Sequence, residues 1–304
     1  MAHSLQALLK AMTDSDIVVD IMSGTSAGGI NAILLSYALC NNKEFGDCAN
    51  LWRQHGDIGR LLRDPDAAPD QTYSLLNSEG YYQPHLEEAF AGMADCPPPA
   101  EDDCSRFDEL DLFITSTFTD GRIYTVLDDA GHSIDVKDYR AVFVLKHRAG
   151  RKEPFNPGWK RPTAMTPAAA LEALHMALAK LGRMTSCFPV AFAPVHVKVK
   201  KDGEPGADAA SDDWADFKLQ QWGALKKDAY FLDGGVLDNK PFTFTIKQIF
   251  RRTTERDVKR TLFYVEPDPE KFKQLDSSQQ PNVVRAAMLA LVGIPGYESI
   301  AEDL

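Results

Sequence analysis

One short stretch constrains this chain more than any other: an apolar run that breaks into glycines and re-emerges as a helix. Ile17-Val18-Val19-Asp20-Ile21-Met22 is short and mostly apolar, which predicts a strand buried on both faces. Ser23-Gly24-Thr25-Ser26-Ala27-Gly28-Gly29 follows without a spacer. From about Ala27 to Leu39, Ile30, Ile33, Leu34 and Tyr37 then recur at helical spacing. A strand that turns this sharply into a helix belongs to an α/β sheet. Further strands alternate with helical stretches, so the expected architecture is an α/β fold with a mostly parallel sheet.

The remaining elements fit that frame. Leu51 to Leu62, Pro84 to Met93 and Ala168 to Leu181 read as helices, the last rich in Ala and Leu. Leu112 to Phe118 reads as a strand, and Arg122–Leu127 and Ala141–Lys146 as neighbours joined through Asp128-Asp129-Ala130-Gly131. Ala229–Leu232 and Thr261–Val265 are short strands, and Val283–Leu291 is helix-like. Residues 96–104, 150–167 and 200–213 are rich in Pro, Gly or charge, and read as surface insertions into a single domain spanning 1–304.

Composition excludes some functions. The 304 residues carry a net charge of −11, which argues against nucleic acid as a partner, because phosphate binding needs clustered Lys and Arg. It also disfavours tight attachment to anionic membranes, though not contact with neutral lipid. No stretch is apolar for the ~18 residues of a membrane span. Met1 to Thr13 carries no secretory pattern, so a cytoplasmic location is expected. The five cysteines (Cys40, Cys48, Cys96, Cys104, Cys187) form no zinc-site spacing and read as free thiols. No metal or cofactor is expected.

Gly24-Thr25-Ser26-Ala27-Gly28 fits G-x-S-x-G, and its place between strand and helix gives the pattern its weight. On such a turn the Ser26 side chain is lifted clear of the sheet. Residues flanking it at Gly24 and Gly28 are expected to have no room for a Cβ. The Ala27 amide, at a helix N-terminus, is left to face a developing oxyanion. A phosphate-binding loop fails on residues, since Ile30-Asn31 follows where Gly-Lys-Ser/Thr would be needed.

A serine nucleophile needs a base. None of the seven histidines follows His196, so the late histidine of an α/β-hydrolase is missing. His196 sits in a strand-like alternation and His175 on the Ala/Leu-rich helix, where packing is the simpler role. Asp233 follows the strand Tyr230-Phe231-Leu232 and precedes Gly234-Gly235, at a strand's carboxyl end, where open α/β sheets collect functional groups. A carboxylate with an ordinary pKa near 3.9 is a weak base toward a hydroxyl, so Asp233 must be buried or closely aligned.

Ser26 in G-x-S-x-G and Asp233 in D-G-G together resemble the patatin-like phospholipases. Arg183 to Val195 resembles that family's R-x-x-S-x-x-P-x-x-F-x-P-V segment. Asp233 to Phe242 is similar to its Asp loop, and Leu262 to Pro269 also has a familiar look. The resemblance spans roughly residues 14 to 300. It implies an α/β/α sandwich and a metal-free Ser26–Asp233 dyad cleaving lipid acyl esters, with transient contact at membrane surfaces. Family members also carry a Gly-rich oxyanion loop before the nucleophile. Met1 to Asp20 contains no glycine, so the expectation is a segment of a longer protein lacking that loop and its strand. The competing readings are a silent lipid- or protein-binding module of the same fold, or an acyltransferase. Thr25 disfavours the latter, since related acyltransferases place His before the Ser.

Overall fold

The computed structural model describes residues 18–45, 48–64, 74–95, 108–151, 154–158, 160–161, 163, 165–201, 203–206, 208–253 and 258–265. Among them are five strands: β1 (Ile21–Gly24), β2 (Glu109–Leu127), β3 (Ser133–Arg148), β4 (Val195–Val197) and β5 (Ala229–Asp233). Seven α-helices accompany them: α1 (Ser26–Cys40), α2 (Cys48–His55), α3 (Ile58–Leu61), α4 (Gln83–Asp95), α5 (Pro167–Thr185), α6 (Ser211–Trp222) and α7 (Phe242–Arg251).

Strand β2 organises the sheet. Along one edge β3 pairs with it antiparallel from Glu109↔Arg148 to Leu127↔Ser133, with a register shift between Thr117 and Arg122. That edge is therefore full, and the other edge is shared by two strands lying end to end. β1 takes its first half in parallel, Ile21↔Asp111 to Gly24↔Ile114. β5 takes the next positions antiparallel, Ser116↔Asp233 to Phe118↔Phe231. The carboxyl ends of β1 and β5 thus meet at the middle of β2, and β4 adds to β5 antiparallel.

Alternation along β2 sorts its side chains into two layers. Leu110, Leu112, Ile114 and Phe118 join Phe143 and Leu145 of β3 in the main core, packed with α1, α4, α5 and α6. Asp111 and Phe113 face the other way, toward α7: Phe113 stacks on Phe244 with ring centroids 5.8 Å apart. Gln248 donates to Asp111 at 2.6 Å. Asp111 is fully buried, and Arg148 (2.8 Å) and Arg252 (2.9 Å) neutralise it. Burial alone pushes its carboxyl up, but the hydrogen bonds and charges of the two arginines outweigh this and hold it below the usual range.

The α/β class and helices on both sheet faces match the sequence reading, but several details differ. The sheet is mixed, with one parallel and three antiparallel pairings among the described strands, not mostly parallel. One cause is the long β2–β3 hairpin, whose direct return through Asp128–His132 permits only antiparallel pairing. β1 starts at Ile21, later than expected, because its ladder with β2 starts there. Val18 and Val19 are exposed, and only Gly24 of β1 is buried, so this strand is not covered on both faces. Leu51 to Leu62 is broken into α2 and α3 at Gly56-Asp57. Thr261–Val265 forms no ladder, and Leu262, Phe263, Tyr264 and Val265 are exposed.

Two expected insertions reach inward. Phe155 and Met165, within 150–167, are buried. The end of 200–213 begins α6, which the sequence reading missed. The insertion at 96–104, the run from Glu266 to Pro269 and the helix-like Val283–Leu291 lie outside the described residues. Among the described residues no helix is long and apolar enough to cross a membrane.

Candidate active site

Ser26 sits at the head of α1, one residue past Thr25, whose φ of −134° and ψ of 144° keep it extended. Ser26 itself has φ +52°, in the left-handed region that costs any residue with a Cβ. Such a turn brings backbones together. A Cβ on Gly24 would lie 2.8 Å from the Gly28 carbonyl oxygen and 2.8 Å from the Gly29 Cα, so only glycine fits there. Gly28 is different: a Cβ there meets nothing within 4 Å. The expected steric need at Gly28 is therefore wrong, and the close contact belongs to Gly29, whose Cβ would lie 2.8 Å from Thr185 Cγ2.

The two strand ends that meet on β2 bring Ser26 and Asp233 together. Ser26 Oγ donates to Asp233 Oδ2 at 3.1 Å. The other carboxylate oxygen, Oδ1, accepts the Gly235 amide at 2.7 Å. Asp233 is only 3% exposed. Burial pushes its carboxyl up from 3.8 to about 6, against the smaller lowering by the Gly235 amide and the Ser26 hydroxyl. Its backbone is pinned as well: its N–H donates to the Cys187 carbonyl at 3.0 Å, and its carbonyl accepts from Thr117 Oγ1 at 2.8 Å.

Gly234 is required by close approach, since a Cβ there would lie 2.5 Å from the Thr115 carbonyl oxygen. Gly235 is less crowded, with 3.0 Å to Asn239 Oδ1 and 3.1 Å to Asp233 Oδ1, and contributes chiefly its amide. At the mouth, Ala27 and Gly28 are exposed. Gly29 N–H already bonds the Thr25 carbonyl at 3.0 Å, and Ser26 N–H bonds Thr185 Oγ1 at 3.0 Å. The first-turn amides facing outward are therefore those of Ala27 and Gly28.

The residue pattern alone did not point to the threonines around Ser26 and Asp233. Thr25 Oγ1 and Thr115 Oγ1 lie 2.5 Å apart, and Thr25 donates to the Asp238 carbonyl at 2.9 Å. Thr115 and Thr117 face one side of β2, a period-2 signal that marks a shared face but not what sits on it.

His175 and His196 take other roles. His175 is buried against Tyr37, whose hydroxyl lies 2.8 Å from Nε2, and burial pulls its pKa down to about 4. His196 stacks on Tyr230 with centroids 4.4 Å apart. Among the described residues no group of three or more His, Cys, Asp or Glu has the placement to hold a metal ion.

A family model described as patatin-like phospholipase matches residues 1–246. The chain belongs to the patatin-like phospholipase family. It is also 30% identical over 309 residues to an uncharacterized membrane protein of Mycobacterium tuberculosis, an alignment covering 99% of this chain and 26% of the relative. The chain thus spans about a quarter of that curated relative's length. No solved structure gives a significant match. Within this family frame, the Arg183 to Val195 segment runs from the end of α5 to the start of β4. It supplies the Cys187 carbonyl to Asp233 and the Thr185 hydroxyl to Ser26. Arg183, 5% exposed, anchors the segment through Glu79 Oε1 at 2.8 Å.

Proposed function

We propose that this patatin-like chain is a single-domain serine acyl hydrolase that cleaves acyl esters of lipids through Ser26 and Asp233, with neither metal nor cofactor. The observation that carries the reading is the 3.1 Å hydrogen bond from Ser26 Oγ to a buried carboxylate whose pKa is raised to about 6. A base matched that closely to neutral pH takes a hydroxyl proton far better than an ordinary aspartate would.

The chemistry follows in two halves. Asp233 accepts the Ser26 proton as Oγ attacks the ester carbonyl, and the amides of Ala27 and Gly28 receive the negative oxygen. The tetrahedral adduct collapses, the alcohol leaves with the proton from Asp233, and the acyl group stays on Ser26. Water then gives a proton to Asp233 and attacks the acyl carbonyl. Collapse releases the free acid and returns the proton to Ser26. A lipid substrate draws the exposed mouth at Ala27 and Gly28 to lipid surfaces for as long as catalysis takes.

Labelling by a fluorophosphonate probe, together with hydrolysis of a short-chain p-nitrophenyl ester, tests the reading. Ser26→Ala is expected to abolish both, and Asp233→Asn to reduce both by about 10² to 10⁴, the usual contribution of a general base. Undiminished hydrolysis in either variant overturns the dyad.

A further inference from the structure

Thr185, the last residue of α5, is fully buried, and its side chain touches the backbone of Ser26. Its hydroxyl proton goes to the Thr115 carbonyl at 2.8 Å. With that proton spent, Oγ1 can only accept, and what it accepts is the Ser26 N–H at 3.0 Å. The methyl is fixed too, because Gly29 leaves room for Thr185 Cγ2 only by lacking a Cβ. The side chain is therefore wedged into the turn with both hydrogen-bonding roles assigned.

Thr115, on the other side of that bond, reaches the second half of the dyad. Its carbonyl is the atom against which Gly234 is packed, and its hydroxyl meets Thr25 Oγ1. One hydroxyl on α5 thus ties the residue carrying Oγ to the strand on which the Asp233 loop rests. Ser26 is held at φ +52°, and a strained conformation persists only where its surroundings over-determine it.

We infer that Thr185 is a positioning residue: by holding the Ser26 amide it keeps the serine in its left-handed turn and Oγ at hydrogen-bonding distance from Asp233. The inference rests on the proposed dyad and adds to it a group that never meets the substrate. It also removes the Ser26 amide from the oxyanion site, leaving that task to the following residues of α1.

The test compares Thr185→Val, which keeps the shape and removes the hydroxyl, with Thr185→Ser, which keeps the hydroxyl and removes the methyl. Misplacing a nucleophile by an ångström costs about 10²-fold, so Thr185→Val is expected to lose roughly 10- to 100-fold in kcat and in fluorophosphonate labelling rate. KM for p-nitrophenyl butyrate should stay within about twofold, since the substrate does not touch this group, and Thr185→Ser should recover most of the rate. Wild-type kcat in Thr185→Val, or equal losses in both variants, overturns the inference, because the hydroxyl would then be irrelevant.

Hydrogen exchange in the wild-type protein keeps the test decisive if the valine variant does not fold. A slowly exchanging Ser26 amide supports the bond, and a freely exchanging one overturns it. Wild-type and Ser26→Ala serve as controls for the dyad itself. Equal labelling of the two overturns the dyad and the inference together, whereas a labelled wild-type with an unaffected Thr185→Val overturns the inference alone.

Discussion

Replacing Asp233 by Asn should cut activity by about 10² to 10⁴ and, at neutral pH, make the protein more stable. The folded-state pKa of Asp233 is raised from 3.8 to about 6, chiefly by burial. A group shifted upward binds its proton more tightly in the folded chain than in the unfolded one. Its contribution to stability is therefore complete below about pH 4, falls as the pH rises through 6, and is flat above that. A shift of about two units corresponds to about 3 kcal/mol, the cost of holding this carboxylate charged in place. Asn is nearly isosteric, can accept the Gly235 amide through its own oxygen, and carries no charge to bury. Urea unfolding of wild type and Asp233→Asn at pH 4 and pH 7.5 isolates this term, because the other titrating groups are common to both. The variant is expected to gain about 2 to 3 kcal/mol on wild type between the two pH values. A variant less stable than wild type at pH 7.5, or a difference independent of pH, would refute the claim that Asp233 is held ionised against its environment.

Other outcomes follow from the same geometry. If Asp233 is the proposed base it must be deprotonated, so kcat/KM for a p-nitrophenyl ester should be flat above pH 7 and fall about tenfold per unit below 6. His196→Asn should leave that profile in place, since its ring stacks on Tyr230. Gly24→Ala forces a Cβ onto the Gly28 and Gly29 backbone and should abolish labelling, with a loss of about 1 to 3 kcal/mol in unfolding free energy. Gly28→Ala meets open space inside a helix, so its stability should match or exceed wild type by up to about 1 kcal/mol. Asp111→Ala leaves Arg148 with Glu109 and Arg252 with Asp20 and Glu109, and should cost about 1 to 3 kcal/mol in thermal or urea unfolding.

The turn at Ser26 was legible in the sequence because its demands are local. A backbone that doubles back from strand to helix needs glycine at position 24 whatever surrounds it, and the pattern displays that need directly. The same pattern misled at Gly28, which lies within the motif but not within the crowded part of the turn. α6 escaped notice for another reason. Its buried face includes Asp216 and Lys218, and Asp216 is tolerated inside because Lys180 reaches it at 2.5 Å and the Lys198 amide at 3.1 Å. A helix that buries charges shows no clean apolar stripe, and its pairing partners lie on other elements. Thr261–Val265 is the reverse case: a composition suited to a strand that forms no ladder among the described residues.

Strand direction is the property least visible in local sequence, and here it decides how the candidate site is assembled. Each β-rich run looks alike whether its neighbour is parallel or antiparallel. Yet the pair Ser26 and Asp233 meets because β1 runs parallel to β2 and β5 runs antiparallel to it, on the same edge. Reversing either strand would carry its functional end to the far side of the sheet. The expectation of a mostly parallel sheet was thus wrong at the point where the two turns meet, although each turn had been placed at a strand's carboxyl end. What the chain encodes locally is two turns rich in glycine. What brings them within 3.1 Å is the long strand between them, with its full hairpin edge on one side and Thr115 and Thr117 facing the junction.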